Sequence, residues 1–342
     1  MPAPQDFETF ELGDLTLQGG ATLRGAHLAY KTWGRLNGDG SNAILLPTWY
    51  SSWHDQNEWM IGPGKALDPE TYFIVSPNML GNGLSTSPSN TAPPYGRGRF
   101  PAVTFFDQVE AQHALLTRQL GITSLELVTG SSMGAAQTYQ WAVSHPEMVR
   151  RAAPIVGASI TSEHNQVFLK SLVAALRSDV AFADGWYTPD RLPLAGMRAF
   201  ARIYAGWGFS QAFYWQREYL QMGFSSLEDF LVGFWEGYFL DDRDPNNLLT
   251  MLSCWQHGDV GLTPGFAGDT EAALRSIRCP VLAMPCRTDL YFPPEDEQWA
   301  SEFIPQGEVR IIDSVYGHFA GLGIHPPDNT FIDDNLKVLL SR

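Results

Sequence analysis

The sequence predicts an α/β protein, with a mostly parallel sheet flanked by helices and a helical insertion, on three observations. Short, nearly continuous apolar runs alternate with segments of helical periodicity between residues 43 and 156. From about 159 to 269 that rhythm lapses into helical, aromatic and irregular sequence. The apolar runs then resume at Pro280 and again at Val309. Strands covered on both faces read as unbroken apolar runs, and strand–helix–strand repeats set the strands parallel with helices packed against them.

The elements follow in order. Ala43–Pro47 and Tyr72–Ser76 are β-rich and read as buried strands. Phe106–Leu120 carries apolar residues at helical spacing and stops at Gly121. Leu125–Thr129 is a strand, Met133–Ser144 a helix ending before His145-Pro146, and Val149–Val156 a further strand. Within the insertion, Met197–Tyr204, Gln211–Met222 and Leu227–Phe239 are helical in pattern. Pro280–Met284 and Val309–Ile312 complete the sheet, and Phe331–Leu340 is a closing helix. One core domain is therefore expected from residues 1–158 and 270–342, because both halves of the strand pattern are needed to complete it. Residues 159–269 form a helical cap over the strand ends.

Composition narrows the partners. The 342 residues carry a formal net charge of −15, so the surface repels nucleic acid and anionic membranes, and neither is expected as a partner. No stretch of about 18 apolar residues occurs, and the N-terminus has no basic segment followed by an apolar run, so a cytoplasmic protein is expected. Cys254, Cys279 and Cys286 are too few and too unevenly spaced for a disulfide framework, and no His or acid spacing around them suggests a metal site. No metal and no cofactor are expected. Eleven Trp, twelve Tyr and twenty Phe are enough both to fill a core and to line an apolar pocket for a small molecule.

Gly130-Ser131-Ser132-Met133-Gly134 is a G-x-S-x-G motif with a strand before it and a helix after it. This context is the nucleophile elbow of the α/β-hydrolase fold. The chain must pass from strand to helix within about two residues, which strains the central serine and leaves no room for side chains at the flanking glycines. Ser132 is thereby exposed above the sheet as a nucleophile, and the Met133 N–H points to the same space at a helix N-terminus. Ser131 lacks the glycine register. A second oxyanion donor is expected from the loop after the first apolar strand, Pro47–Ser51, with the Trp49 N–H preferred and Tyr50 next.

A serine hydroxyl needs a base, and this fold orders its triad Ser, then Asp or Glu, then His. His27, His54 and His113 precede Ser132, His145 follows it too closely, and His164 and His257 lie in the insertion. His318, after the last strand in Tyr316-Gly317-His318, is preferred over His325 in its Pro-rich stretch. Asp289, just past Pro280–Met284, is the expected orienting carboxylate, with Asp313 its rival. Glu295 and Asp296 read as the start of a helix, where acids complement the dipole. Tyr50, Trp207 and Phe209 are candidate pocket residues. Trp255–Asp259 reads either as a tunnel lining or as a helix end.

With these residues placed, the chain resembles the homoserine O-acetyltransferase family. The matching stretches are Ala29–Gly34 with Asn37, Ile61–Asp68, Tyr72–Val75 with Asn78, Gly81 and Ser85-Thr86, the elbow, and the loops of Asp289 and His318. The resemblance implies an acyl group carried on Ser132, a homodimer, and acetyl-CoA as donor if the chain is a transferase. It also exposes two departures. Members usually have an acid directly after the catalytic histidine, which helps hold the substrate amine; here that residue is Phe319. Their insertion has a Thr-Tyr-Arg-Ser-like stretch whose Arg suits a carboxylate; the matching stretch here is Trp207-Gly208-Phe209-Ser210. A zwitterionic acceptor left without these partners loses several kcal/mol, by order of magnitude. Hydrolysis of an ester, thioester or amide, with Phe319 in the pocket, is therefore the expected activity, and acyl-CoA-dependent transfer is the alternative.

Overall fold

A computed structural model describes residues 2–342. Eight strands form one sheet in the order β1-β2-β4-β3-β5-β6-β7-β8. They are β1 (Glu8–Thr16), β2 (Thr22–Trp33), β3 (Ala43–Leu45), β4 (Phe73–Pro77), β5 (Leu127–Ser131), β6 (Ala152–Ile155), β7 (Val281–Ala283) and β8 (Gly307–Val309). From β4 to β8 every pairing is parallel, and β1 and β2 add an antiparallel hairpin at one edge.

The expected strands are in place. The one read at Val309–Ile312 is entered earlier, at Gly307, and its ladder continues through Arg310 N–H to Ala283 O and Ile312 N–H to Pro285 O. The edge hairpin went unread. Its alternation is broken by register shifts around Gly13, and much of β1 faces solvent, so its apolar signal is weak.

Alternation along the buried strands feeds two cores. Ala43, Leu45, Val75, Val128 and Ala152 pack on one face. Their partners come from helices α1 (Phe105–Ala114), α2 (Met133–Ser144), α9 (Thr270–Arg275) and α10 (Pro294–Phe303). Ile44, Leu46, Ile74, Leu127 and Ile155 point the other way, toward the insertion and α11 (Pro326–Leu340). Stretch 159–269 contributes no strand to the sheet. It carries α3 (Glu163–Arg177), α4 (Leu194–Gly208), α5 (Gln211–Gln216), α6 (Leu227–Phe230), α7 (Gly237–Leu240) and α8 (Pro245–Gln256). The segment read as one helix over 211–222 is broken at Arg217, which takes φ 56°. The segment 227–239 is continuous through a π-turn at Leu231–Glu236. The closing helix starts earlier than expected because Pro326 and Pro327 occupy its first turn, where no N–H is needed.

All three cysteines are free and buried, and burial pushes the Cys279 and Cys286 thiols up to about 11. No helix of the described residues is long and apolar enough to cross a membrane.

One buried acid couples this packing to pH. Glu297 on α10 accepts the Tyr139 hydroxyl of α2, and burial raises its carboxyl from 4.5 to about 8. The native state then holds a proton that the unfolded chain has released, so this group's contribution is complete below about pH 4.5 and is lost as the pH climbs to about 8. Glu297→Gln keeps an acceptor for Tyr139 without the charge. Thermal melts across this range should show the variant gaining on the wild type from pH 5 to pH 8, with little difference at the acid end.

Candidate functional site

Strand β5 runs directly into Ser132, whose backbone sits at φ 57°, ψ −122°. This conformation is rare for a residue with a side chain. Three neighbours hold it there: the Ser132 N–H donates to Ile155 O at 2.9 Å, and the Ala135 and Ala136 N–H groups bind Ser132 O. The glycines make the turn sterically feasible. A Cβ on Gly130 would lie 2.9 Å from the Gly134 carbonyl carbon, and one on Gly134 would lie 2.8 Å from Pro47 O. Ser132 opens α2 without making a side-chain capping bond, so its hydroxyl is not committed to the helix. Ser131 is committed: its hydroxyl donates to Gly321 O at 2.6 Å.

His318 follows Gly317, which takes φ 60° and passes so close to the end of α4 that a Cβ would meet Gly208 O at 2.9 Å. The buried His318 Nδ1–H donates to Asp289 Oδ2 at 2.8 Å, a carboxylate oxygen that can only accept. The other oxygen, Oδ1, receives the Tyr291 and Phe292 N–H groups at 3.1 and 3.0 Å. Both carboxylate oxygens are thus held, and the Tyr291 ring, 4.4 Å from the imidazole centroid, limits its rotation. The Asp289 charge is felt nearby: burial first, then Asp289, raises the Asp296 carboxyl to about 6. The rivals lie elsewhere. Asp313 pairs with Arg287 at the surface, and His325 pairs with Asp328 and stacks on Tyr316.

Ser132 and His318 open into one cavity of about 170 Å³. Its wall comes from the loop after β3 (Trp49, Tyr50, Ser51, Gln56), the insertion (Tyr204, Phe234, Trp235, Tyr238, Phe239) and the histidine loop (Phe319, Leu322, Ile324). None of these lining residues carries a carboxylate, ammonium or guanidinium group. Of the four expected pocket residues, Tyr50 and Phe319 line this cavity, whereas Trp207 and Phe209 do not. Trp207 packs on Phe168 and His164 between α3 and α4. Phe209 is fully buried one layer back, stacked on Phe319 at 4.4 Å and on Phe213 at 4.0 Å. The unread lining residues Phe234, Trp235, Tyr238 and Phe239 share one helical face. That spacing was legible, but it does not distinguish a core face from a cavity wall. Trp255 is buried at the end of α8, and His257, its C-cap, is exposed.

The expected Trp49 donor is corrected by the loop itself. The Trp49 N–H turns back to Ser52 Oγ at 2.9 Å, whereas the next amide, Tyr50 N–H, has no partner among the described residues. The loop is fastened from both sides. From below, a buried chain runs from Trp141 Nε1–H to Gln112 Oε1 (2.7 Å) and from Gln112 Nε2–H to Gln137 Oε1 (2.6 Å). Gln137 Nε2 then donates to both Thr48 O (2.9 Å) and Met133 O (3.0 Å). From above, the Tyr238 hydroxyl and Arg243 Nε donate to Ser51 O, and the guanidinium lies over the Trp53 and Tyr238 rings.

Comparison with known proteins agrees with this architecture. The family described as alpha/beta hydrolase fold matches residues 44–322. An ethyl acetate hydrolase of Pseudomonas veronii is 41% identical, with 98% of this chain and 95% of that one covered. A homoserine O-acetyltransferase of Trichormus variabilis is 33% identical, over 90% of this chain and 87% of the relative. The crystal structure of an acetylester hydrolase from Corynebacterium glutamicum superposes with a TM-score of 0.95 at 40% identity, covering 98% and 96% of the two chains. With a strained elbow serine, a histidine held by a carboxylate and a full-length match to such relatives, the chain belongs to the α/β-hydrolase fold family.

Proposed function

We propose that the protein hydrolyses short, uncharged carboxylic esters, acetyl esters of small alcohols foremost, through an acyl-enzyme on Ser132. The observation that carries this reading is the charge-free wall of the cavity. A zwitterionic acceptor would have to shed water from an ammonium and a carboxylate with nothing to receive them, at a cost of several kcal/mol, by order of magnitude. A neutral ester loses little on entering, and water serves as the second acceptor. The names of the relatives that are about 40% identical support the same choice.

In this mechanism the Ser132 hydroxyl attacks the ester carbonyl carbon while His318 Nε2 takes its proton. Asp289 stabilises the resulting imidazolium and fixes the tautomer. The negative charge that develops on the carbonyl oxygen is received by the Met133 and Tyr50 N–H groups. Met133 has the first N–H of α2, one of those with no acceptor inside the helix. Collapse expels the alcohol, which leaves with the proton from His318. Water then gives a proton to His318 and attacks the acyl carbon, and the carboxylic acid departs as Ser132 regains its proton. Residues 159–269 act as the cap that closes the acyl pocket and excludes bulk water. Gln137 positions the catalytic amides by holding Thr48 O and Met133 O with a single amide group.

Three outcomes test this. Ser132→Ala should abolish release of p-nitrophenol from p-nitrophenyl acetate, and Asp289→Asn should lower kcat by several orders of magnitude, because the amide favours the wrong tautomer. Rates should fall steeply from acetyl to octanoyl esters, and acetyl-CoA with homoserine should release no thiol beyond the rate with water alone. Thiol release that depends strictly on homoserine would replace this reading with the transferase. Gln137→Met should lower kcat by roughly ten- to a hundredfold, part of the loss seen when an oxyanion donor is removed outright. KM should stay nearly unchanged, and affinity for a boronic acid transition-state analogue should fall in parallel with kcat. A drop that merely follows lost thermal stability would remove the positioning role.

A further inference from the structure

We propose that Glu110, His113 and His145 form a binding site for one divalent transition-metal cation of the zinc class, at the far end of the elbow helix from Ser132. No metal was expected from the sequence; Glu110 and His113 lie on α1 and His145 at the end of α2, far apart along the chain. The fold brings them together. Glu110 and His113 are three residues apart on α1 and so share a face. His145 is the C-cap of α2, with its N–H on Trp141 O at 2.9 Å and Pro146 directly behind it. One ligand atom from each of the three residues lies within 4.8 Å of the others, and all three residues are partly buried.

One ligand pair in the cluster already stands near coordination spacing. The two imidazoles lie stacked, 4.1 Å apart with 3° between their planes, so one ring has to turn before both can face one cation. His145 Nε2 is 2.9 Å from Glu110 Oε1. Donor atoms around a tetrahedral zinc stand about 3.3 Å apart, given bonds of about 2.0–2.1 Å. The His145–Glu110 pair is already near that spacing, and His113 reaches the same cation by turning its ring out of the stack. Two imidazoles and one carboxylate favour zinc, cobalt or nickel over magnesium or calcium, and leave a fourth position for water. Binding needs bare ring nitrogens and a carboxylate, so the His145 hydrogen bond to Glu110 gives way to the cation.

Place in the fold defines the role. Helix α2 has 12 residues, so about 18 Å of helix separates this cluster from Ser132. The cation would clamp α1 to α2 and take no part in ester chemistry. An acidic chain also raises the local cation concentration.

The test uses the full chain, stripped with EDTA and dialysed. Zinc chloride is titrated in by calorimetry, and thermal melts are run with and without zinc. One saturating equivalent and a higher melting temperature are expected, with no gain from magnesium. Cobalt in place of zinc should give visible d–d absorption of a nitrogen-containing site. His113→Asn and His145→Asn should each lower the affinity at least about tenfold, since even outer-shell losses cost that much. His257→Asn, on an exposed histidine outside the cluster, should change nothing. Esterase activity of each variant verifies that it is folded. Absence of saturable zinc binding, or binding that survives both cluster substitutions, would overturn the proposal.

Discussion

Everything at this site depends on one backbone constraint: the passage from β5 to α2 through a serine at positive φ. The strain is held in place by neighbours on three sides. Ile155 O holds the serine amide, the first turn of α2 holds its carbonyl, and Pro47 O closes on Gly134 at a distance that no side chain could fill. The result is a hydroxyl with no capping duty at the mouth of a cavity, beside the first free amide of a helix. A serine in a relaxed strand-to-helix turn would have used that hydroxyl to cap the helix.

The second half of the site is organised by a carboxylate with both oxygens occupied. Asp289 receives two backbone amides on one oxygen and the imidazole on the other, so it cannot swing away without breaking three bonds. The loop after β3 is held with comparable thoroughness. The buried glutamine chain pins Thr48 from the sheet side, and Tyr238 and Arg243 of the insertion pin Ser51 from the other. Insertion and sheet therefore meet at the loop after β3, and the insertion supplies part of the cavity wall.

The proposed specificity rests on what the cavity wall leaves out. Phe319 lines the cavity and Phe209 stacks behind it at 4.4 Å, so no charged side chain enters at either position. The two rings form one aromatic layer behind the cavity wall. A wall of this kind accepts a neutral ester readily and gives a charged amino acid no compensation for its lost hydration.

The buried parallel strands, the elbow turn and the pairing of Asp289 with His318 were legible in the sequence alone, because each is written in local chemistry. Buried parallel strands leave continuous apolar runs, the elbow needs glycines at fixed offsets from Ser132, and the chain order of acid and base left few candidates to sort. Local pattern was silent wherever the outcome depended on which residues meet. The edge hairpin hid behind a bulge and an exposed face. The direction of the Trp49 amide was decided by Ser52, three residues on, and that of the loop by Gln137. Trp207 and Phe209 read as pocket residues, but packing between helices placed one between α3 and α4 and the other behind Phe319. Helical spacing marks which face of a helix is buried; only the arrangement of neighbouring helices decides whether that face meets solid core, an empty cavity or, as with Glu110, His113 and His145, a cluster of polar groups.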